Sequence, residues 1–534
     1  MTSVAVVGGG ITGLAAAWEL LCSGAQVRVL EESDRLGGKI LTDEMGGRRV
    51  DLGPDAFVAR TSDALQLCQE LGLVDELVRS ATDEAAVWVG GRLRPLPPDV
   101  VLGVPSRLTS VARSRILSPM GVARAAADAV LPGRGLDGDC SVGDLVTERL
   151  GRQVHDRLVD PLFGGIHAGP ARNLSVQATA PQLATAAERR SLVRGVRAQR
   201  SNGGERPGFH SLRGGLGRLV ERLEDELRAG GASVELGAVV ESVPVPGVDA
   251  TVVATPAPVA ADLVAASSPE AEAELRSIDY ASVTVTVLAY PEPAFPRPLS
   301  GSGFLVPHCE GRLLTACSFA SSKWPHWAGP DEVVLRASAG RWGDQRASDM
   351  TDVELVQAVH AELVDALGLT APPMRARVTR WVSSFPQYRV GHLERVARID
   401  AAMERDLPAV QVVGAAYRGL GITTCIAQGR AAARRALRWV TERKAAAPGP
   451  LVEAEAPVEA GPLVEAEAPV EAEAPAEPET PVEWEAPVEP EAPVEAEAAA
   501  QPEEPVGAEP PVQGEARLER EGGVIEGDES TVES

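Results

Sequence analysis

Residues 3–39 read SVAVVGGGITGLAAAWELLCSGAQVRVLEESDRLGGK, and this stretch decides the fold. Val4–Val7 is a short β-branched run, Gly8–Gly10 interrupts it, Ile11–Cys22 is rich in helix formers, and Val27–Leu30 is a second apolar strand. Strand, tight turn, helix and strand within forty residues make a βαβ unit. The turn is the GxGxxG pattern Gly8-Gly9-Gly10-Ile11-Thr12-Gly13, and each glycine has a physical task. Gly8 allows the tight turn, Gly10 lets backbone N–H groups approach a pyrophosphate, and Gly13 allows close packing of helix on sheet. The helix start supplies positive potential to that phosphate. Glu31 closes the second strand, where a carboxylate can accept hydrogen bonds from a ribose diol.

Arg35-Leu-Gly-Gly-Lys39 follows at once. Its paired glycines permit a second backbone approach to the same phosphates, and Arg35 or Lys39 can neutralise their charge. Near the other end of the folded body, Val410-Gln-Val-Val-Gly-Ala-Ala-Tyr-Arg-Gly-Leu-Gly-Ile-Thr-Thr-Cys-Ile426 reads as strand, glycine-rich loop and helix start. Such a helix terminus, aimed at a flavin pyrimidine edge, would stabilise the negative charge of reduced flavin.

Between these ends, residues 62–80 carry Leu65, Leu67, Leu71, Leu73 and Leu77 near one helical face, and 85–205 hold mostly helical patterns broken by Pro and Gly. Gly214–Gly217 precedes an amphipathic helix, Arg218–Arg228, followed by strands at Ser233–Leu236 and Ala250–Ala254. Alternating runs such as Ser282–Ala289 and Val333–Ala337 predict antiparallel sheet, residues 352–367 an amphipathic helix, and Ile426–Arg443 a last helix.

Several internal segments resemble the protoporphyrinogen oxidase family of the FAD-containing amine-oxidase superfamily. They are Val50-Asp-Leu-Gly-Pro-Asp-Ala-Phe57, Ile116-Leu-Ser-Pro-Met-Gly121, Asp160-Pro-Leu-Phe-Gly-Gly-Ile-His-Ala-Gly169, Leu174-Ser-Val-Gln-Ala-Thr-Ala-Pro-Gln-Leu183, Ser211-Leu-Arg-Gly-Gly-Leu-Gly217, and Phe385-Pro-Gln-Tyr388 with Gly391-His392. The likeness extends over about residues 3–443. It implies an α/β fold: a Rossmann-like FAD-binding domain, a mixed-sheet substrate domain and a helical domain. The expected division is 1–84, 206–262 and 405–444 for the FAD domain, 85–205 for the helical domain and 263–404 for the substrate domain. The resemblance also implies noncovalent FAD contacts at Gly8, Gly9, Gly10, Ile11, Thr12, Gly13, Glu31, Glu32, Lys39, Gly53, Pro54, Asp55, Ala56, Val239, Trp381, Leu420, Gly421 and Ile422.

The implied reaction is the six-electron oxidation of a porphyrinogen to a porphyrin in heme biosynthesis, in three flavin turns, with oxygen as acceptor and hydrogen peroxide as product. No nucleophile or metal is called for: the protein must hold a meso carbon over the flavin and exclude water. No catalytic acid or base is assigned; Asp55 and His167 are the candidates. A satisfied structural role is the competing reading for His167 and for His392. Arg60 is the first candidate for a substrate carboxylate. Arg189, Arg190, Arg194, Arg197 and Arg200 form a second basic area, for which a solvated helix face or mobile loop is the preferred reading. Some family members carry an Arg directly after the Gly-Pro pair, where this chain has Asp55; in this it resembles bacterial members that act on coproporphyrinogen III. That substrate, with hand-off of the product to ferrochelatase, is the expectation. Protoporphyrinogen IX, another flavin amine oxidase or desaturase activity, and a non-catalytic porphyrin carrier are the alternatives.

Composition narrows the class. The 534 residues carry a net charge of −25, but the charge is unevenly placed. Residues 445–534 hold 25 acidic and 2 basic side chains, leaving 51 and 49 on the body. Neither part offers phosphates a basic face, so no nucleic-acid partner is expected. In the tail, LVEAEAPVEA (451–460) recurs at 463–472. Frequent Pro, repelling Glu and scarce apolar surface predict a disordered Glu/Ala/Pro/Val-rich segment. Six scattered cysteines without CxxC pairs fit a reducing cytoplasm, and no metal-ligand spacing is present. No signal peptide and no uninterrupted apolar stretch of membrane-spanning length is read.

Overall fold

A computed structural model describes residues 1–59, 61–131, 138–201 and 208–446. Arg60 and all but the first two residues of the acidic tail lie outside the described residues.

Five strands form a wholly parallel sheet in the order 233–236, 26–31, 3–7, 250–253, 410–412. Its central strands, Ser3–Val7 and Ala250–Val253, are almost wholly buried because both faces are covered, while the edge strand Ser233–Leu236 is partly exposed. One face carries the helices Ile11–Cys22, Gly217–Ala229 and Ile422–Ala446, whose Leu14, Leu20, Leu219, Leu223 and Ile426 are fully buried. Burying one such side chain contributes roughly 1.5–3 kcal/mol. The other face carries Ala257–Val264, Pro269–Arg276 and His392–Asp406. Pro269–Arg276 and all but the last two residues of His392–Asp406 fall in 263–404, the range read as substrate domain, yet they pack on the nucleotide-type sheet.

A seven-stranded mixed sheet has the order 375–386, 280–291, 332–339, 314–318, 303–305, 86–89, 92–95. The hairpin 86–95 belongs to this sheet, whereas the sequence reading placed it at the start of the helical region. Its short alternating run, VWV then RLR, is weaker than the helical patterns that follow. The helix Asp352–Leu367 closes the back of the sheet. It begins at a Thr351/Glu354 capping box and ends at Gly368 in the left-handed conformation. A separate apolar core, including Val146, Leu158, Phe163 and Leu183, unites the helices between 108 and 201.

Residues 62–80 are only partly helical. The helix Asp63–Glu70 stops before Gly72, at φ +69°, and Leu77–Arg79 pairs as a strand with 209–212. The leucine spacing does not distinguish these outcomes; the glycine does.

Candidate active site

The turn Gly8–Gly13 takes the shape its glycines allow. Gly8 has φ +100°, and a Cβ on Gly13 would lie 1.9 Å from the Gly8 carbonyl. A Cβ on Gly10 would meet nothing within 4 Å. Gly13 thus serves packing, and Gly10 faces open space.

Two helix starts converge there. A Cβ on Gly429 would sit 2.2 Å from the Thr12 carbonyl, so the first turn of Ile11–Cys22 touches Ile422–Ala446 backbone to backbone about two turns into the latter. Thr12 hydrogen-bonds the Cys425 thiol, and Lys39 lies within electrostatic reach of it. The Lys39 amine has no hydrogen bond or ion pair among the described residues, and desolvation lowers its pKa. Lys39 is half-buried; a partly desolvated cation without a carboxylate is costly, and a pyrophosphate would relieve it. The Arg35 guanidinium is already spent on the carbonyls of Leu36, Gly38 and Ile40. Lys39 is therefore the cation left for an anion. An open glycine position, two helix N-termini and an unpartnered amine fit the pyrophosphate of FAD.

The remaining expected contacts gather around this cradle. Glu31 accepts from Gly9 N–H at 2.6 Å and from Ser33 N–H at 3.0 Å. Its own carbonyl accepts from Ala238 N–H at 2.9 Å, which sets the exposed Val239 beside Glu31 and Glu32. Gly53 packs so tightly on the Lys39 carbonyl that a Cβ would lie 1.9 Å away. Trp381 Nε1 donates to the Leu52 carbonyl at 3.0 Å. Thr423 Oγ1 donates to the Val58 carbonyl at 3.0 Å, which ties the start of the helix Ile422–Ala446 to the strand Phe57–Val58 that follows Gly53–Ala56. Residues 10, 39, 53–56, 381 and 420–423 thus form one locality drawn from distant parts of the chain. A cleft of about 970 Å³ adjoins it, lined by Leu41, Leu52, Val356 and the edge-strand residues 376–379.

Asp55 is an anchor. Its carboxylate accepts from Lys323 Nζ and Trp324 Nε1, both at 3.0 Å, and Arg336 lies at 3.9 Å. Burial would raise its pKa, but Lys323, Arg336 and the Trp324 bond outweigh burial and pull it well below the usual carboxylate range. Such a group carries no proton near neutrality, which argues against the acid–base role considered from sequence. Arg336 also donates to the Gly53 carbonyl. His167 is buried, its pKa pushed down to about 4 by desolvation, and its Nδ1 has no partner. It stacks on Phe163 at 5.8 Å and lies 6.1 Å from Tyr388. It is a neutral imidazole held among rings.

Sequence reasoning missed Lys323, Trp324 and Arg336. A signal existed: the chain holds only three lysines, Lys39, Lys323 and Lys444, among 51 basic residues. Two of the three stand at this site. The reading also missed why Asp51 and the segment 211–217 are linked. Asp51 Oδ1 accepts from Leu216 N–H at 2.9 Å, and a Cβ on Gly215 would collide with Thr42 and Asp51. The 50–57 and 211–217 segments form one joint.

The flavin containing amine oxidoreductase family model matches residues 11–437. A coproporphyrinogen III oxidase of Bacillus subtilis is 33% identical, over 82% of this chain and 98% of its own. One of Mycobacterium bovis is 36% identical, over 80% and 96%. A solved structure from Exiguobacterium sp. 255-15, assigned as a protoporphyrinogen oxidase, superposes with a TM-score of 0.73 at 30% identity, over 81% of this chain and 98% of that one. The chain belongs to the flavin containing amine oxidoreductases, on their porphyrinogen-oxidase branch, and is an FAD-dependent oxidase.

Proposed function

We propose that the protein oxidises coproporphyrinogen III to coproporphyrin III, with oxygen as the final acceptor, hydrogen peroxide as by-product and ferrochelatase as recipient of the porphyrin. The observation that carries this reading is the extent of the likeness. Relatives named coproporphyrinogen III oxidase match along nearly their whole length, through the mixed sheet and the helical region as well as the dinucleotide turn.

Bound FAD supplies the hydride acceptor. The chain supplies the rest. Gly8–Gly13, Lys39 and the start of the helix Ile422–Ala446 receive the pyrophosphate and the flavin edge. Glu31, Glu32 and Val239 flank the ribose, and Gly53–Ala56, Trp381 and Leu420–Ile422 frame the ring. The Asp55–Lys323–Arg336 cluster ties that frame to the mixed sheet. Arg60 is retained as the carboxylate contact, from the sequence alone. The division of the body into FAD, helical and substrate parts is kept as a proposal, with the hairpin 86–95 assigned to the mixed sheet and the helices Pro269–Arg276 and His392–Asp406 to the FAD part.

A second reading, protoporphyrinogen IX as substrate, is favoured by the Exiguobacterium structure. Steady-state rates on both porphyrinogens separate the two. A higher kcat/KM for coproporphyrinogen III supports the proposal; a preference for protoporphyrinogen IX overturns it.

A further inference from the structure

The segment Phe385–His392 was singled out from sequence without a task, and the structure gives it one. The loop 414–421 leads from the last parallel strand to the helix Ile422–Ala446. Its backbone is unusual at both ends: Gly414 has φ +139° and Gly419 φ +127°, values that side chains resist. Such a loop needs to be held from outside.

Tyr388 and His392 hold it. The Tyr388 hydroxyl accepts from Gly419 N–H at 2.9 Å and donates to the Ala415 carbonyl. His392 Nε2 donates to the Tyr417 carbonyl at 2.9 Å. The two rings stack at 4.1 Å with 13° between their planes, so neither can turn alone. Both side chains are fully buried, where an unmade bond costs more than at the surface.

The helical region holds these residues in turn. Ser175 N–H donates to the Tyr388 carbonyl at 2.8 Å. Gly391 N–H donates to Asp139 at 2.9 Å. Gln387 Nε2 donates to the His167 carbonyl at 2.8 Å. Gly169 lies directly against Gln387, with room for a Cβ only if the Gln387 amide moved. The segments 160–169, 174–183 and 385–392 therefore form one clamp closed on the loop.

We propose that Tyr388 and His392 are positioning residues that fix the 414–421 loop in the shape that receives the flavin, and so couple the helical region to the cofactor. This rests on the reading above that Leu420–Ile422 border the flavin.

The test uses the full chain stripped of FAD and titrated with it by flavin fluorescence, followed by the midpoint potential of the reloaded protein. Tyr388→Phe keeps the ring and its stacking but leaves Gly419 N–H and the Ala415 carbonyl unmet. FAD binding should weaken about tenfold. The potential should move to more negative values, and kcat should fall with little change in KM. His392→Leu should act likewise, and His392→Gln, which keeps an N–H donor, should recover part of the loss. Wild-type affinity and potential in Tyr388→Phe would overturn the proposal while leaving the flavin site intact. A wild-type chain that binds no FAD would remove the site reading and this proposal with it.

Discussion

At Gly10 and Gly13 the same missing side chain serves two different ends. Gly13 is pressed against the Gly8 carbonyl, while Gly10 faces open space. Gly10→Val should leave the apoprotein folded, with a near-normal melting temperature, and abolish FAD binding, because the valine takes the room of the pyrophosphate. Gly13→Val should damage the fold itself. Yellow, fully loaded Gly10→Val protein would place the cofactor elsewhere. Lys39→Met removes the unpartnered amine. A charge-assisted contact contributes on the order of 1.5–3 kcal/mol, so FAD affinity should fall about tenfold or more in fluorescence titration; an unchanged dissociation constant would contradict this. The glycines and Lys39 were legible in the sequence because their spacing is local. The partners of Asp55 were not: Lys323 stands 268 residues away in sequence, and such a contact has no periodicity.

The joint between 50–57 and 211–217 shows what element pairing demands of one buried carboxyl. Asp51 is fully buried, with Oδ2 unpartnered. Burial foremost pushes its pKa up to about 7, with Asp55 nearby adding to the effect. The native state then holds a proton that the unfolded chain releases near pH 4. Between those values the native state binds more protons, so stability contributed by protonated Asp51 is complete below about pH 4 and is lost as pH rises through about 7. Asp51→Asn keeps an acceptor for Leu216 N–H and cannot ionise. Urea unfolding of this variant should show a shallower loss of stability from pH 4 to 7 than wild type; equal slopes would mean that Asp51 ionises normally. Strands and helices with strong period were legible along most of the body. The hairpin 86–95 and the broken helix 62–80 were not, because tertiary pairing and one glycine outweighed local pattern there.

Along the whole chain the net charge is unevenly placed: the body is nearly neutral, and residues 445–534, with 25 acidic and 2 basic side chains, carry most of the net charge of −25. A chain ending at Ala446, which retains the 3.1 Å Lys444–Asp249 ion pair, should keep its turnover and melting temperature. A large loss of either would mean that the tail contributes to the body. Arg60→Ala should raise KM for coproporphyrinogen III more than for protoporphyrinogen IX, which has two fewer carboxylates; equal effects would remove Arg60 from its role. The overall architecture was legible because the dinucleotide turn lies at one end of the body and the loop–helix that completes it at the other. The clamp of 160–183 on 385–392 was visible only as unexplained motifs. The central claim is that FAD held in this cradle takes electrons from coproporphyrinogen III. Anaerobic mixing of the oxidised protein with that porphyrinogen, followed by flavin absorbance, tests it most directly. The account predicts bleaching of the flavin with formation of coproporphyrin, and no bleaching with simple amines. An unbleached flavin with coproporphyrinogen III bound would contradict it.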